Sequence, residues 1–161
     1  VGYDLRKKIK IISSGKMTSG FGLVKRLALG SDICNSARAM MMALGCIQAR
    51  KCNSNHCPVG VTTQNPSLFG ALVPEDKSQR VNNYHRNTVD SACQIMGAMG
   101  LESAEELRPW HLMRRIEAYE IRNFSEIYEY IETGSLLNDS KPESYARACD
   151  AARSDSFTAT N

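Results

Sequence analysis

The sequence has no apolar run long enough to cross a bilayer and no hydrophobic segment of the signal-peptide type. It also lacks a basic face, because its 20 Lys and Arg residues are interleaved with 17 Asp and Glu residues. That pattern argues against nucleic acid and membrane surfaces as partners. No Ser–His–Asp arrangement and no paired-carboxylate motif stands out, so hydrolase chemistry has no support. The 161 residues, 42% of them apolar, are enough for one domain with a core.

The six cysteines are unevenly distributed along the chain. Cys46, Cys52 and Cys57 lie within 12 residues in the order C-x5-C-x4-C. Nothing in the sequence indicates secretion, so we expect a reducing cytoplasm rather than disulfide bonds. Thiolates that converge from a loop suit iron, and Pro58 prevents the chain from re-forming a helix. Three ligands without an obvious fourth predict a 3Fe–4S cluster, or a four-iron cluster with one open site.

Zinc is the main alternative metal, with His56 as a fourth ligand. Zinc-binding cysteines are usually separated by about two to four residues, so the observed spacing favours iron. His56 is then expected at the surface or as a hydrogen-bond donor to a sulfur atom. The remaining thiols are interpreted as packing or incidental residues: Cys34, Cys93 and Cys149.

The first third of the chain reads as two strand–helix units. Residues 8–12 alternate like a strand, and residues 21–29 carry apolar side chains at helical spacing. A second strand is predicted at residues 31–35, followed by a helix at Ala37–Leu44 that is apolar almost all round. A strand–helix–strand unit with short connections predicts a right-handed parallel crossover. Two parallel strands do not form a stable sheet alone, so we interpret the chain as the C-terminal part of a larger α/β barrel.

The loops after these two strands have the composition of a phosphate site. Glycine allows close approach of the backbone to an anion, helix N-termini offer free N–H groups, and arginine adds a charged contact. In barrels of this type the loops after the last two strands bind phosphate. The candidates are Gly15, Lys16 and Gly20 after the first strand, and Ser36, Ala37 and Arg38 after the second.

The rest of the chain is predicted to be largely helical after residue 78. A long helix carries one apolar face from Val81 to Met99 and ends at Gly100. Ser103 and Glu106 form a capping-box pattern, and a further helix is predicted over residues 117–132. The domain plan is therefore barrel units at 1–45, a cysteine loop at 46–77, a helical segment at 78–137 and a polar tail at 138–161.

The motifs resemble those of the glutamate synthase family over residues 5–137. The run from Gly45 to Pro66, Gly-Cys-x5-Cys-x4-Cys-Pro-Val-Gly-Val-x-Thr-Gln-Asn-Pro, is similar to the iron–sulfur loop of that family. Residues 11–20 resemble its flavin-phosphate loop after the seventh barrel strand, and residues 27–39 resemble the eighth strand. Residues 84–88 and 100–101 are similar to the segment that follows the cluster loop. The resemblance is to shorter, stand-alone members, since longer ones carry Asp-Gly-Gly where this chain has residues 13–15.

This resemblance implies the last two strands and following helices of a TIM-type β/α barrel that binds FMN. Cys46, Cys52 and Cys57 would bind a 3Fe–4S cluster that relays electrons to FMN from ferredoxin or an NAD(P)H-oxidising subunit. The family reduces 2-iminoglutarate, formed from 2-oxoglutarate and glutamine-derived ammonia, to glutamate. No residue is assigned a catalytic role, because strands one to six are absent and would come from the remainder of the barrel or a complementary subunit.

The isolated chain is accordingly expected to be inactive. One alternative is a non-catalytic interaction module whose cysteines hold zinc or no metal. Another is a flavoenzyme with the same barrel and a different substrate.

Overall fold

The computed structural model describes residues 1–138 and 141–156, which fall into two compact units. The larger unit is Ile11–Phe124, and the other combines Val1–Lys10 with the described residues from Ser125 onward. No helix among the described residues is both long and apolar enough to cross a membrane.

The larger unit begins with the predicted strand–helix–strand arrangement. Strand β1 is Ile12–Ser13, helix α1 is Gly20–Ala28, and strand β2 is Ile33–Cys34. The strands pair in parallel, with Ile12 opposite Ile33 and Ser13 opposite Cys34. The parallel pairing is confirmed, although both strands are shorter than predicted. Helix α2 occupies Ala37–Leu44 as predicted and ends at Gly45, whose φ of 114° requires a residue without a side chain.

The pair of parallel strands exposes its apolar side chains. Ile11, Ile12 and Ile33 are 43%, 56% and 47% exposed, respectively. Parallel strands in proteins are normally buried on both faces by helices or further strands. These elements form an α/β arrangement whose sheet presents unburied apolar surface.

A long helix organises the rest of this unit. Helix α3 is Pro66–Phe69, and α4 is Pro74–Ala98, which begins earlier than predicted because Pro74 is well suited to a first turn. Helix α1 packs on α4 through buried Val24 and Ala28, with Ala92 buried on the α4 side. The Tyr84 hydroxyl donates a hydrogen bond of 2.8 Å to the carbonyl of Thr18, so α4 also anchors the loop after β1.

The region after α4 differs from the predicted helix. Gly100 ends α4 with a φ of 76°, and Ala104–Glu106 form a single 3₁₀ turn in which Glu106 Oε1 accepts from the Ser103 N–H at 3.1 Å. An antiparallel hairpin follows, with β3 at Met113–Glu117 and β4 at Glu120–Asn123.

The helix predicted at 117–132 is therefore wrong, since within those residues only α5, Phe124–Ile127, is helical. The chain after residue 78 is helical through α4, as expected, and the hairpin then interrupts it. The helix was predicted from the three-residue spacing of Ile121, Phe124 and Ile127, but Ile121 lies on β4 and the helix begins only at Phe124.

The smaller unit joins the first residues to the later part of the chain. The N–H groups of Gly134 and Leu136 donate to the carbonyls of Val1 and Gly2 at 3.2 and 3.0 Å. Helix α6, Glu143–Ala151, lies within the segment predicted as a polar tail. Residues 139–140 and 157–161 of that tail lie outside the described residues.

Replacing Gly20 with alanine should destabilise the larger unit by about 1–3 kcal/mol, the usual range for overpacking. A Cβ atom at Gly20 would stand 2.6 Å from the backbone nitrogen of Ala92 and 2.7 Å from Ser91 Cβ, so α1 and α4 would have to separate. The free energy of unfolding from denaturant titration measures the effect.

Gly22→Ala is the matched control on the same helix. Its Cβ would meet no atom closer than 3.6 Å, and alanine favours helix over glycine by up to about 1 kcal/mol. Equal stability of the two variants would contradict the close approach of α1 to α4 at Gly20.

Candidate functional site

The two candidate phosphate loops lie at one edge of the sheet. Since β1 and β2 are parallel, their carboxyl ends meet at the same edge, and the chain leaves both strands there. The Ser36 hydroxyl donates a hydrogen bond of 2.7 Å to the carbonyl of Met17, which ties the second loop to the first. The structure therefore brings together the two segments that the sequence analysis selected.

The first loop turns through two consecutive left-handed residues. Gly15 has a φ of 88° and Lys16 a φ of 50°. A glycine in such a turn allows an anion to approach the backbone closely, because no side chain is in the way. Arg26 of α1 donates to the carbonyl of Gly15 and, at 3.1 Å, to that of Gly22, so the loop is held from its carbonyl side. Lys16 is exposed.

The second loop leads directly into α2. Ser36 precedes this helix without a side-chain hydrogen bond to its first turn, so its hydroxyl does not cap the first N–H groups. Ala37 and Arg38 are exposed in the first turn. The first turn of α2 and the Arg38 side chain are thus accessible to solvent.

Gly20 has a packing role that the sequence analysis did not identify. It is buried where α1 crosses α4, and Ser91 and Ala92 occupy the space of its missing side chain. Ser19 accepts from the N–H of Gly22 at 3.2 Å and so occupies one donor of the first turn of α1. The close helix crossing accounts for glycine at this position, whereas Gly15 has no atom within 4 Å of its Cβ position.

The cysteine loop is irregular and contains several left-handed residues. Besides Gly45 and Gly60, residues with positive φ are Gln48 at 56°, Arg50 at 55° and Asn55 at 62°. Asn55 closes the loop, because its Oδ1 accepts from the Gln64 N–H at 2.7 Å and its carbonyl accepts from Thr63 Oγ1 at 2.7 Å. A backbone that repeatedly enters the left-handed region can direct several N–H groups inward.

Two of the three sulfur atoms accept backbone hydrogen bonds. The N–H groups of Thr62, Val59 and Val61 lower the pKa of Cys57 to about 7, while burial acts in the opposite direction. The Thr62 hydroxyl also lowers this pKa, although its buried oxygen has no partner of normal hydrogen-bond geometry among the described residues. The Cys46 sulfur accepts from the Gln48 N–H at 3.4 Å. This donor set suits a thiolate bound to a metal cluster.

The three thiols differ in exposure and do not form a ready-made metal site. Cys57 is buried, Cys46 is half-buried and Cys52 is exposed. Within the described parts of the chain, no group of three His, Cys, Asp or Glu side chains could hold a metal ion. His56 is exposed, and its Nδ1 lies 2.6 Å from the carbonyl of Ser54. The residues needed for a cluster are on one loop, and binding one would require Cys46, Cys52 and Cys57 to converge.

One signal in the sequence of this region was missed. From residue 33 to residue 74 there is no Asp or Glu, whereas Arg38, Arg50 and Lys51 are present. This stretch contains the second phosphate loop and all three cysteines. A segment free of carboxylates is favourable for holding anions such as a phosphate or a thiolate-bound cluster.

Comparison with known proteins gives a consistent assignment. The family model described as "Conserved region in glutamate synthase" matches residues 1–102. The glutamate synthase large subunit-like protein YerD of Bacillus subtilis is 38% identical over 125 residues, which cover 78% of this chain and 24% of that protein. The archaeal glutamate synthase [NADPH] of Methanocaldococcus jannaschii is 36% identical, over 65% of this chain and 20% of that protein.

Among more distant relatives, the glutamate synthase [NADH] of Saccharomyces cerevisiae is 28% identical over 65% of this chain and 5% of its own length. The chain thus spans about a quarter or less of the curated relatives it matches. Since the family model covers 102 of the 161 residues, the chain belongs to the glutamate synthase family.

Proposed function

We propose that this chain forms the last two β/α units of an FMN-binding TIM-type barrel and the iron–sulfur loop of a glutamate-synthase-like oxidoreductase. Its strongest support is the order of parts along the chain. The cysteine loop begins one helix beyond the sheet edge where both candidate phosphate loops lie. That helix, α2, has 8 residues and therefore a length of about 12 Å. One protein unit can hold both groups at that separation.

A barrel explains the exposed apolar surface of the parallel strands. Ile12 and Ile33 would be covered by the remaining strands, from the rest of the barrel or from a complementary subunit. The proposed plan keeps residues 1–45 as barrel units, 46–77 as the cluster loop and 78–137 as the helical segment that follows them in the sequence. Helix α4 supports this plan, since it contacts both α1 and α2.

For the cluster, Cys46, Cys52 and Cys57 would be the three ligands of a 3Fe–4S group. The backbone N–H donors around Cys57 and Cys46 would stabilise the negative charge on their sulfurs. Cys52 is exposed and would move inward on binding.

For the flavin phosphate, the backbone of Gly15 and the side chain of Lys16 would bind from the first loop. Ser36, Ala37 and Arg38 would bind from the second, through free N–H groups of α2 and the guanidinium. Gly20 would contribute through its backbone only, since its missing side chain serves the contact with α4.

In this role the chain's residues hold and orient FMN and the iron–sulfur cluster, and these two cofactors supply the redox chemistry. When bound, the flavin would transfer hydride to 2-iminoglutarate, made from 2-oxoglutarate and ammonia, and the cluster would deliver single electrons. The names of two relatives specify NADPH and NADH. We infer an NAD(P)H-oxidising subunit or ferredoxin as the electron donor, and glutamine as the ammonia source. A cytoplasmic setting fits these small-molecule partners.

Anaerobic purification tests the proposal. Iron, zinc and flavin per polypeptide should be measured together with the electron paramagnetic resonance spectrum of the oxidised protein. About three irons per chain with a 3Fe–4S signal is the expected result for three thiolate ligands. Zinc in place of iron would contradict it and would favour a structural module with tetrahedral coordination.

Replacing Arg38 with alanine should weaken FMN binding by about 1.5–3 kcal/mol, the worth of a hydrogen bond to a charged group. Arg38 is exposed in the first turn of α2, where a phosphate would meet it. The measurement is a fluorescence titration of FMN on a chain that carries the remaining barrel strands.

Arg86→Ala is the control, because Arg86 is an exposed arginine on α4 outside both phosphate loops. Equal flavin affinity of the two variants would show that Arg38 does not bind the flavin phosphate.

A further inference from the structure

The β3–β4 hairpin has one regular edge that no other strand of the described chain covers. Its sheet contains these two strands alone among the described residues, so each strand has an outer edge. On β3 the register shifts between Arg115 and Glu117, which is a β-bulge. Bulges disrupt the pairing of an edge with a further strand. Strand β4 carries no such interruption, so its outer edge is the one that can accept another strand.

The main chain of Ile121 lies at the centre of this edge. The Phe124 N–H donates to the Leu112 carbonyl at 3.0 Å, so these two residues are a hydrogen-bonded pair. Hydrogen-bonded and non-hydrogen-bonded pairs alternate along antiparallel strands, so Ile121 and Arg115 form a non-hydrogen-bonded pair. The N–H and carbonyl of Ile121 therefore point away from β3, and no hydrogen bond joins them to another segment of the described chain. The Ile121 side chain is 55% exposed.

The two residues that flank Ile121 carry opposite charges. Glu120 is half-buried, Arg122 is exposed, and Arg122 Nε donates to Glu120 Oε1. Charges of one sign along an edge repel a second copy of the same edge, whereas this order allows two copies to attract each other. When two β4 strands run antiparallel with Ile121 opposite Ile121, each Glu120 lies opposite Arg122 of the other copy. These are non-hydrogen-bonded pairs, whose Cα atoms are only about 4.5 Å apart.

We propose that β4 pairs with β4 of a second copy of this chain and forms a two-fold symmetric dimer with a continuous antiparallel sheet. The two Ile121 residues exchange main-chain hydrogen bonds and pack side by side on one face. The two Glu120–Arg122 pairs form on the other face. A carboxylate can accept from two donors, so Glu120 can bind both its own Arg122 and that of the second copy. The pairing needs no cofactor and does not depend on the proposed function.

Reversal of one charge should weaken this dimer, and reversal of both should restore it. Sedimentation velocity of the full chain over a concentration series gives the dimer Kd. For Arg122→Glu the Kd should rise about tenfold or more, because two-fold symmetry converts both ion pairs into Glu–Glu repulsion. The double variant Glu120→Arg, Arg122→Glu again places opposite charges across the edge, so its Kd should return to within about threefold of the parent value.

Ile121→Pro tests the main-chain hydrogen bonds. Proline removes an N–H that points away from β3, so the hairpin should persist while the dimer is lost. Arg86→Glu is the matched control for charge reversal, since Arg86 is an exposed arginine on α4, and it should dimerise like the parent.

A parent chain that is monomeric at every concentration would overturn the proposal. A dimer that persists in Arg122→Glu, or that the double variant does not restore, would also overturn it, because the contact would then lie elsewhere on the chain. An equal loss of dimer in Arg86→Glu would do the same, since net charge alone would then control association.

Discussion

Replacing Cys52 with serine is expected to abolish iron binding by this chain. Three thiolates share the proposed cluster, and a hydroxyl group is a poor ligand for the irons of such a group at neutral pH. Cys52 is exposed and accepts no hydrogen bond among those that the structure shows for the described residues, so serine should leave the fold intact. Iron per polypeptide and the paramagnetic signal after anaerobic purification measure the effect.

Cys93→Ser provides a control of matched chemistry and exposure. Cys93 is an exposed thiol on α4, outside the cysteine loop. The iron content of this variant should equal that of the parent. If both variants lose iron equally, or if neither does, Cys52 is not a ligand. Unchanged circular dichroism in the two proteins would exclude misfolding as the cause of a loss.

The parallel strand pair and the first helices could be predicted because their signals are local. Ala37–Leu44 is bounded by a serine before it and a glycine after it, and both ends were predicted correctly. Helix α1 begins at Gly20, one residue before the predicted start, because Ser19 caps its first turn. The parallel pairing followed from the short strand–helix–strand connection, and it is confirmed by the Ile12–Ile33 register.

The hairpin could not be predicted from the same rules. Ile121, Phe124 and Ile127 are spaced three residues apart, which fits a helix, but β4 uses only the first of them and α5 begins at Phe124. The choice depends on pairing with β3, where Arg115 lies opposite Ile121. Such pairing is a non-local contact that a periodicity within one segment does not contain.

The candidate site shows the same division between local and non-local information. Gly15 adopts the left-handed conformation that glycine favours in a turn. In contrast, the role of Gly20 depends on Ser91 and Ala92, more than 70 positions along the chain. Gly20 acquires its role only through helix packing.

The contact of Gly60 with α3 makes Gly60→Ala the most destabilising single change expected in the cysteine loop. Gly60 has a φ of 81°, and its Cβ would stand 2.6 Å from the Leu68 carbonyl oxygen and 2.9 Å from the Phe69 Cα atom. A left-handed alanine costs about 1–2 kcal/mol, and overpacking adds about 1–3 kcal/mol. The part of the cysteine loop around Gly60 must therefore move away from α3.

That movement would displace the donors to Cys57, because the N–H groups of Val59, Val61 and Thr62 flank Gly60 in the sequence. Gly60→Ala should thus lose most of its iron and unfold at a lower temperature. Gly15→Ala is the control that measures the cost of a left-handed alanine without overpacking. Gly15 has a φ of 88°, but no atom lies within 4 Å of its Cβ position. This variant should retain iron and lose only about 1–2 kcal/mol of stability. Equal iron content in the two variants would mean that the packing of Gly60 on α3 does not hold the cysteine loop in its binding conformation.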